Sequence, residues 1–103
     1  MDITRAERLL LDRRRRGEDQ AAAARRLGVG IVLYKDWERG RRRFPRRVAL
    51  GKLRRWEELM LLRRRAGLTQ GELASALGCT RRWVVLMESG RAPIRVLEEY
   101  WSE

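Results

Sequence analysis

Leu68-Thr69-Gln70-Gly71-Glu72-Leu73-Ala74-Ser75-Ala76-Leu77-Gly78, followed at once by Cys79-Thr80, is the stretch whose reading decides the fold of this chain. Thr69 and Glu72 stand at the spacing of a capping box, in which the threonine oxygen accepts the amide of residue 72 and the glutamate returns to the amide of residue 69. A helix therefore starts at Gln70. It ends near Leu77, because Gly78 supplies the positive φ that a tight turn requires. Thr80 caps a further helix running to about Ser89, and Gly90 closes it. Upstream, Leu59, Leu62 and Ala66 recur at helical spacing until Gly67 stops that helix as a left-handed C-terminal residue would.

Two short helices joined by a tight glycine-containing turn form a helix-turn-helix, whose second helix is the one that enters the major groove of DNA. Ala74 suits this arrangement, since a larger side chain would push two closely crossing helices apart. Working outward, the chain repeats itself at an offset of fifty without a gap. Fifteen of the 37 positions from 5 to 41 are identical to their partners, among them Gly17/Gly67, Gln20/Gln70, Ala24/Ala74, Leu27/Leu77, Gly28/Gly78, Glu38/Glu88 and Gly40/Gly90. Arginine bias accounts for Arg13-Arg14-Arg15 matching Arg63-Arg64-Arg65, but not for those pairs. Duplication is the economical explanation, and it predicts an all-α chain of two tandem helix-turn-helix units. The expected limits are 1–45 for the first, divergent unit and 46–103 for the second.

The run from Leu68 to Gly78, with Thr80 and Glu88-Ser89-Gly90, resembles the lambda-repressor/Cro (XRE-type) helix-turn-helix family over most of residues 57 to 93. Residues 7 to 45 resemble it more weakly. The resemblance implies that Gln70, and Gln20 in the first half, contacts DNA phosphate and braces the recognition helix. It also implies that Arg63 with Glu88, and Arg13 with Glu38, form largely buried structural ion pairs tying the first helix of each unit to the end of the recognition helix. Loss of either partner would leave a poorly compensated charge.

Residues at the N-terminal end of a recognition helix point into the groove, which nominates Thr80, Arg81, Arg82 and Val85 as base readers. Two arginines there suit bidentate contacts to guanine O6 and N7, while phosphate contact alone is the plainer alternative. Val84 and Met87 fall at core positions, and Trp83 is divided between stacking on the DNA and packing. The first half departs from the pattern: Gly30 stands for Thr80, Glu18 for a buried Leu68, and Arg16 for Ala66. Its groove-facing candidates are Ile31, Val32 and Lys35, with Tyr34 and Trp37 assigned to the core. Isoleucine and valine can meet thymine methyls but cannot hydrogen-bond as arginine does. An apolar exposed helix equally suits a protein partner.

Arg41-Arg42-Arg43-Phe44-Pro45-Arg46-Arg47 reads as a basic loop, in which Arg41, Arg42 and Arg43, like Arg91, stand beside the recognition helices for phosphate contact; a solvated charge cluster is the alternative. After Pro45, a nearly continuous helix over 46–66 is expected, a break at Gly51 being the alternative. From Ile94 to Trp101 a short amphipathic helix puts Ile94, Leu97 and Trp101 on one face, to close the core or to dimerise.

Composition narrows the function classes. Twenty-five basic residues against 14 acidic ones give a formal charge of +11, and Lys35 and Lys52 are the only lysines. Such a field favours a polyanion, and arginine's planar fork suits phosphate and guanine. There is no histidine and Cys79 is the sole cysteine, so an internal disulfide framework and a Cys/His zinc site are excluded; no cofactor is expected. Met1-Asp2-Ile3-Thr4-Arg5 lacks an apolar signal core, and no apolar run approaches ~20 residues, so a cytoplasmic, nucleoid-associated protein without membrane contact is expected. Enzyme chemistry finds no paired carboxylates, ligand cluster or phosphate loop. The leading expectation is a sequence-specific regulator of duplex DNA, repressor-type and of phage or mobile-element origin, acting as a built-in pseudo-dimer or a homodimer. Two alternatives stay open: an adaptor whose first unit binds a protein, and a non-specific DNA coat.

Overall fold

The computed structural model describes residues 1–102. Its elements come from local rules met twice. In the first half α1 (Arg5–Arg15), α2 (Gln20–Leu27) and α3 (Ile31–Glu38) follow one another, and in the second α4 (Arg55–Arg65), α5 (Gln70–Leu77) and α6 (Arg81–Glu88) do so with every bound displaced by fifty; α7 (Arg95–Trp101) ends the chain. Among the described residues there is no strand, so the all-α expectation holds.

Side-chain caps open α1, α2, α5 and α6. The Thr69 hydroxyl accepts the Glu72 amide at 3.0 Å while Glu72 accepts the Thr69 amide at 2.8 Å, and Thr4 with Glu7 repeats the arrangement at the head of α1. Asp19 accepts the Ala22 amide at 2.7 Å to open α2, and Thr80 accepts the Trp83 amide at 3.2 Å to open α6. Each such cap is worth roughly 1 kcal/mol. Gly30, in the place of Thr80, gives α3 no side-chain cap. The turn after α5 needs Gly78 at φ +70°, which lets the Cys79 amide return to the Ala74 carbonyl at 3.0 Å and satisfies a helix-end acceptor.

The chain divides into two compact units, Met1–Lys52 and the remainder from Leu53. In the first, Leu9, Ala23, Ala24, Tyr34, Trp37 and Phe44 form the core, with Trp37 edge-on to Phe44 at 4.8 Å between ring centroids. In the second, Leu59, Leu73, Ala74, Val84, Met87 and Leu97 do so, and Ile94 and Trp101 pack against them. The amphipathic C-terminal helix thus closes the core of its own unit. Burial of each large side chain contributes about 1.5–3 kcal/mol, and the two alanines on α2 and α5 keep the helix crossings close.

The expected helix over 46–66 is corrected: residues 41–54 are not helical, and the helix begins only at Arg55. Segment 46–52, expected at the head of the second unit, belongs to the first. Arginines of α1 take carbonyls of residues 44–52. Arg5 donates to Phe44 O, Arg8 to Val48 O, and Arg15 to Leu50 O at 2.5 Å and Lys52 O at 3.0 Å. Gly51 at φ +69° adds a turn that no right-handed helix accommodates.

Candidate nucleic-acid interface

The second unit presents α6 through its buried face. Val84 and Met87 are fully buried and Glu88 nearly so, which fixes the helix rotation and turns Arg81, Arg82 and Trp83 outward. Val85 and Leu86 lie half-buried at the edges. Arg81 and Arg82 make no hydrogen bond or ion pair among the described residues, so both guanidinium groups are free to meet a ligand. Trp83 is 41% exposed and belongs to the open face rather than the core.

Two ionic networks hold α3 and α6. In the second unit Arg63 Nε donates to Glu88 Oε2 at 2.7 Å, Arg63 Nη1 to Leu68 O at 2.8 Å, and Gln70 Nε2 to Glu88 Oε1 at 3.2 Å. In the first, Arg13 Nε donates to Glu38 Oε2 at 2.6 Å, Arg13 Nη1 to Glu18 O at 3.0 Å, and Gln20 Nε2 to Glu38 Oε1 at 3.1 Å. Both expected ion pairs are formed, and Gln20 and Gln70 brace α3 and α6 through Glu38 and Glu88. Tyr34 adds a member that the sequence did not signal, its hydroxyl donating to Glu38 Oε2 at 2.5 Å. Burial, and then the neighbouring Glu38 carboxylate, push the phenol's pKa well up, so it remains a donor.

Leu68, expected buried, is half-buried, as is Glu18 at the matching place. The reason is that the network uses the backbone carbonyl of this residue, not its side chain. Glu18 is free to pair with Arg26 at 2.8 Å instead, and that guanidinium holds the Glu18 carboxyl below its usual range.

In the first unit α3 buries Tyr34, Trp37 and Glu38. Ile31 is 40% and Val32 72% exposed, and Lys35 and Asp36 lie half-buried beyond them. Arg41, Arg42, Arg43 and Arg91 are exposed and unpaired among the described residues. Arg39 and Arg47 share that condition and were not singled out by sequence; Arg46 lies 5.8 Å from the Phe44 ring. Their signal was adjacency to the same basic run. The arginines thus separate into those spent on the fold and those left for a partner.

Among the described residues no group of three metal-ligating side chains comes together, and no helix is long and apolar enough to cross a membrane. Residues 57–99 match the family model of a helix-turn-helix domain. That span takes in most of α4, all of α5 and α6, and much of α7. A helix-turn-helix domain is a DNA-binding architecture whose second helix enters the major groove, which is the position of α6. Searches of curated proteins and of solved structures gave no match.

Proposed function

We propose that this chain is a sequence-specific regulator that occupies an operator in duplex DNA and represses by occupancy, with α6 as its main reading helix and the first unit as a second, diverged copy of the same domain. The observation that carries this reading is the pair Arg81 and Arg82, exposed, unpaired and at the N-terminal end of α6, the second helix of the α5–α6 helix-turn-helix within the matched domain. Arginine at that position donates two parallel hydrogen bonds to one guanine. Arg41, Arg42, Arg43 and Arg91 supply phosphate contacts that set register without reading sequence. The identical helix bounds at an offset of fifty support a second copy in residues 1–52.

Selection of bound sequences from random duplex DNA tests the reading. A guanine-containing consensus is expected, and Arg81→Ala or Arg82→Ala should relax the preference at one position by about 1–3 kcal/mol. Arg42→Ala should weaken binding to all sequences alike and lower the salt dependence. Promoter-directed transcription in vitro should fall when the selected site overlaps the start. Recovery of no preferred sequence, with affinity that tracks salt alone, would leave a non-specific DNA coat in its place.

A further inference from the structure

The two recognition helices open with residues of opposite chemistry. At the positions where α6 carries Arg81 and Arg82, α3 carries Ile31 and Val32, and one turn on, Val85 is matched by Lys35. Neither apolar residue serves the core. Tyr34, Trp37 and Phe44 already fill it, and Val32, at 72%, is the most open of the exposed large apolar side chains.

The surroundings indicate what meets this pair. The same unit carries Lys35, Arg39, Arg41, Arg42 and Arg43, all unpaired among the described residues. An apolar pair with Lys35 and Arg39 one and two turns on from Ile31, in a unit rich in unpaired arginine, complements an anionic surface that carries small apolar points. The major groove has that character: phosphates flank it, and thymine alone of the four bases projects a C5-methyl group into it. A stable protein interface needs roughly 20–30 residues a side with a depleted charge at its centre, far more apolar surface than two side chains offer.

We infer that α3 reads thymine through Ile31 and Val32, so that one chain holds two readers of unlike code and prefers a non-palindromic site, with guanines facing Arg81 and Arg82 and thymines facing Ile31 and Val32. This rests on DNA reading by α6 as proposed above. The discriminating group is the methyl alone. Deoxyuridine keeps every hydrogen-bonding group of thymine and lacks it, whereas 5-methylcytosine carries it in the same place.

The experiment uses the full chain and its selected duplex, with thymines replaced one at a time by deoxyuridine. Loss of each contacted methyl should weaken binding about fourfold, the equivalent of one buried methylene, and only in the segment away from the guanines. The variant Ile31→Ala/Val32→Ala, whose side chains are exposed and whose melting should be unchanged, should bind thymine and deoxyuridine duplexes equally. Arg81→Ala should keep the methyl response while losing the guanine preference. If wild-type binding is indifferent to deoxyuridine throughout a site whose guanines still matter, thymine reading by α3 is overturned, while DNA reading by α6 stands. If no sequence is preferred at all, both readings fall together.

Discussion

Replacing Arg63 by methionine should cost the second unit about 3–5 kcal/mol, the penalty for leaving a buried carboxylate without its cation. Only 7% of the Arg63 side chain and none of the Glu88 side chain is accessible, so water cannot take the arginine's place, and Glu88 keeps the Gln70 amide at 3.2 Å. Arg13→Met removes the same partner from Glu38, yet the cost should be smaller. Glu38 retains the Tyr34 hydroxyl at 2.5 Å as well as Gln20 at 3.1 Å, and 15% of the Arg13 side chain is already exposed. A hydrogen bond to a charged group contributes about 1.5–3 kcal/mol, so Arg13→Met should cost about 1–3 kcal/mol. Amide exchange in α3 and α6 reads each unit separately, with complete loss of protection counted as the larger cost. Adding Tyr34→Phe to Arg13→Met should bring the first unit's loss up to that of the second. Equal losses for Arg13→Met and Arg63→Met, or no further loss with Tyr34→Phe, would refute the role given to the phenol.

Gly90 and Gly40 both sit at positive φ, but a Cβ at Gly90 would lie 2.6 Å from the Trp56 ring while one at Gly40 would meet nothing within 4 Å. Gly40→Ala should therefore cost about 1–2 kcal/mol from its backbone alone, and Gly90→Ala a further 1–3 kcal/mol or so from overpacking; equal melting losses would show that Trp56 swings aside freely. Glu72 is held below its ordinary pKa first by the Thr69 backbone amide and then by the Thr69 side chain. Because the folded value is the lower one, this capping contribution is complete above the unfolded value and disappears as pH falls through the folded value. A carboxyl titration by NMR should place the Glu72 midpoint below that of the urea-unfolded chain, and coincident midpoints would contradict the cap.

The helix ends were legible because short-range chemistry sets them. Thr69 with Glu72, Gly78 and Thr80 act within four residues of themselves, and no tertiary contact overrides them. The two ion pairs were legible through resemblance rather than spacing, since residues 25 apart in sequence meet only after the turn has formed. Segment 46–54 was not legible. Its composition tolerates helix, but Arg8 and Arg15 hold the carbonyls of Val48, Leu50 and Lys52 from 35 to 40 residues away, and Gly51 sits at φ +69°. For the same reason the sequence could not say which arginines are free. Arg13 and Arg81 look alike as letters, and only the placement of Glu38 distinguishes a structural guanidinium from an available one.

That division bears on how the two units present different faces. The glutamate, the arginine that pairs with it and the bracing glutamine are the same in both units, and together they fix the rotation of α3 and α6. With the rotation fixed, the outward residues can change without cost to the core. Gly30 for Thr80, Ile31 for Arg81 and Val32 for Arg82 alter one cap and two exposed side chains, while inside Tyr34 takes the buried place that Val84 has on α6. Because nothing buried depends on Ile31 or Val32, exchanging Ile31-Val32 for Arg81-Arg82 between the helices should leave both units folded and transfer the guanine preference with the arginines. If the preference remained with the unit instead, the reading residues would have to lie outside the first turns of α3 and α6.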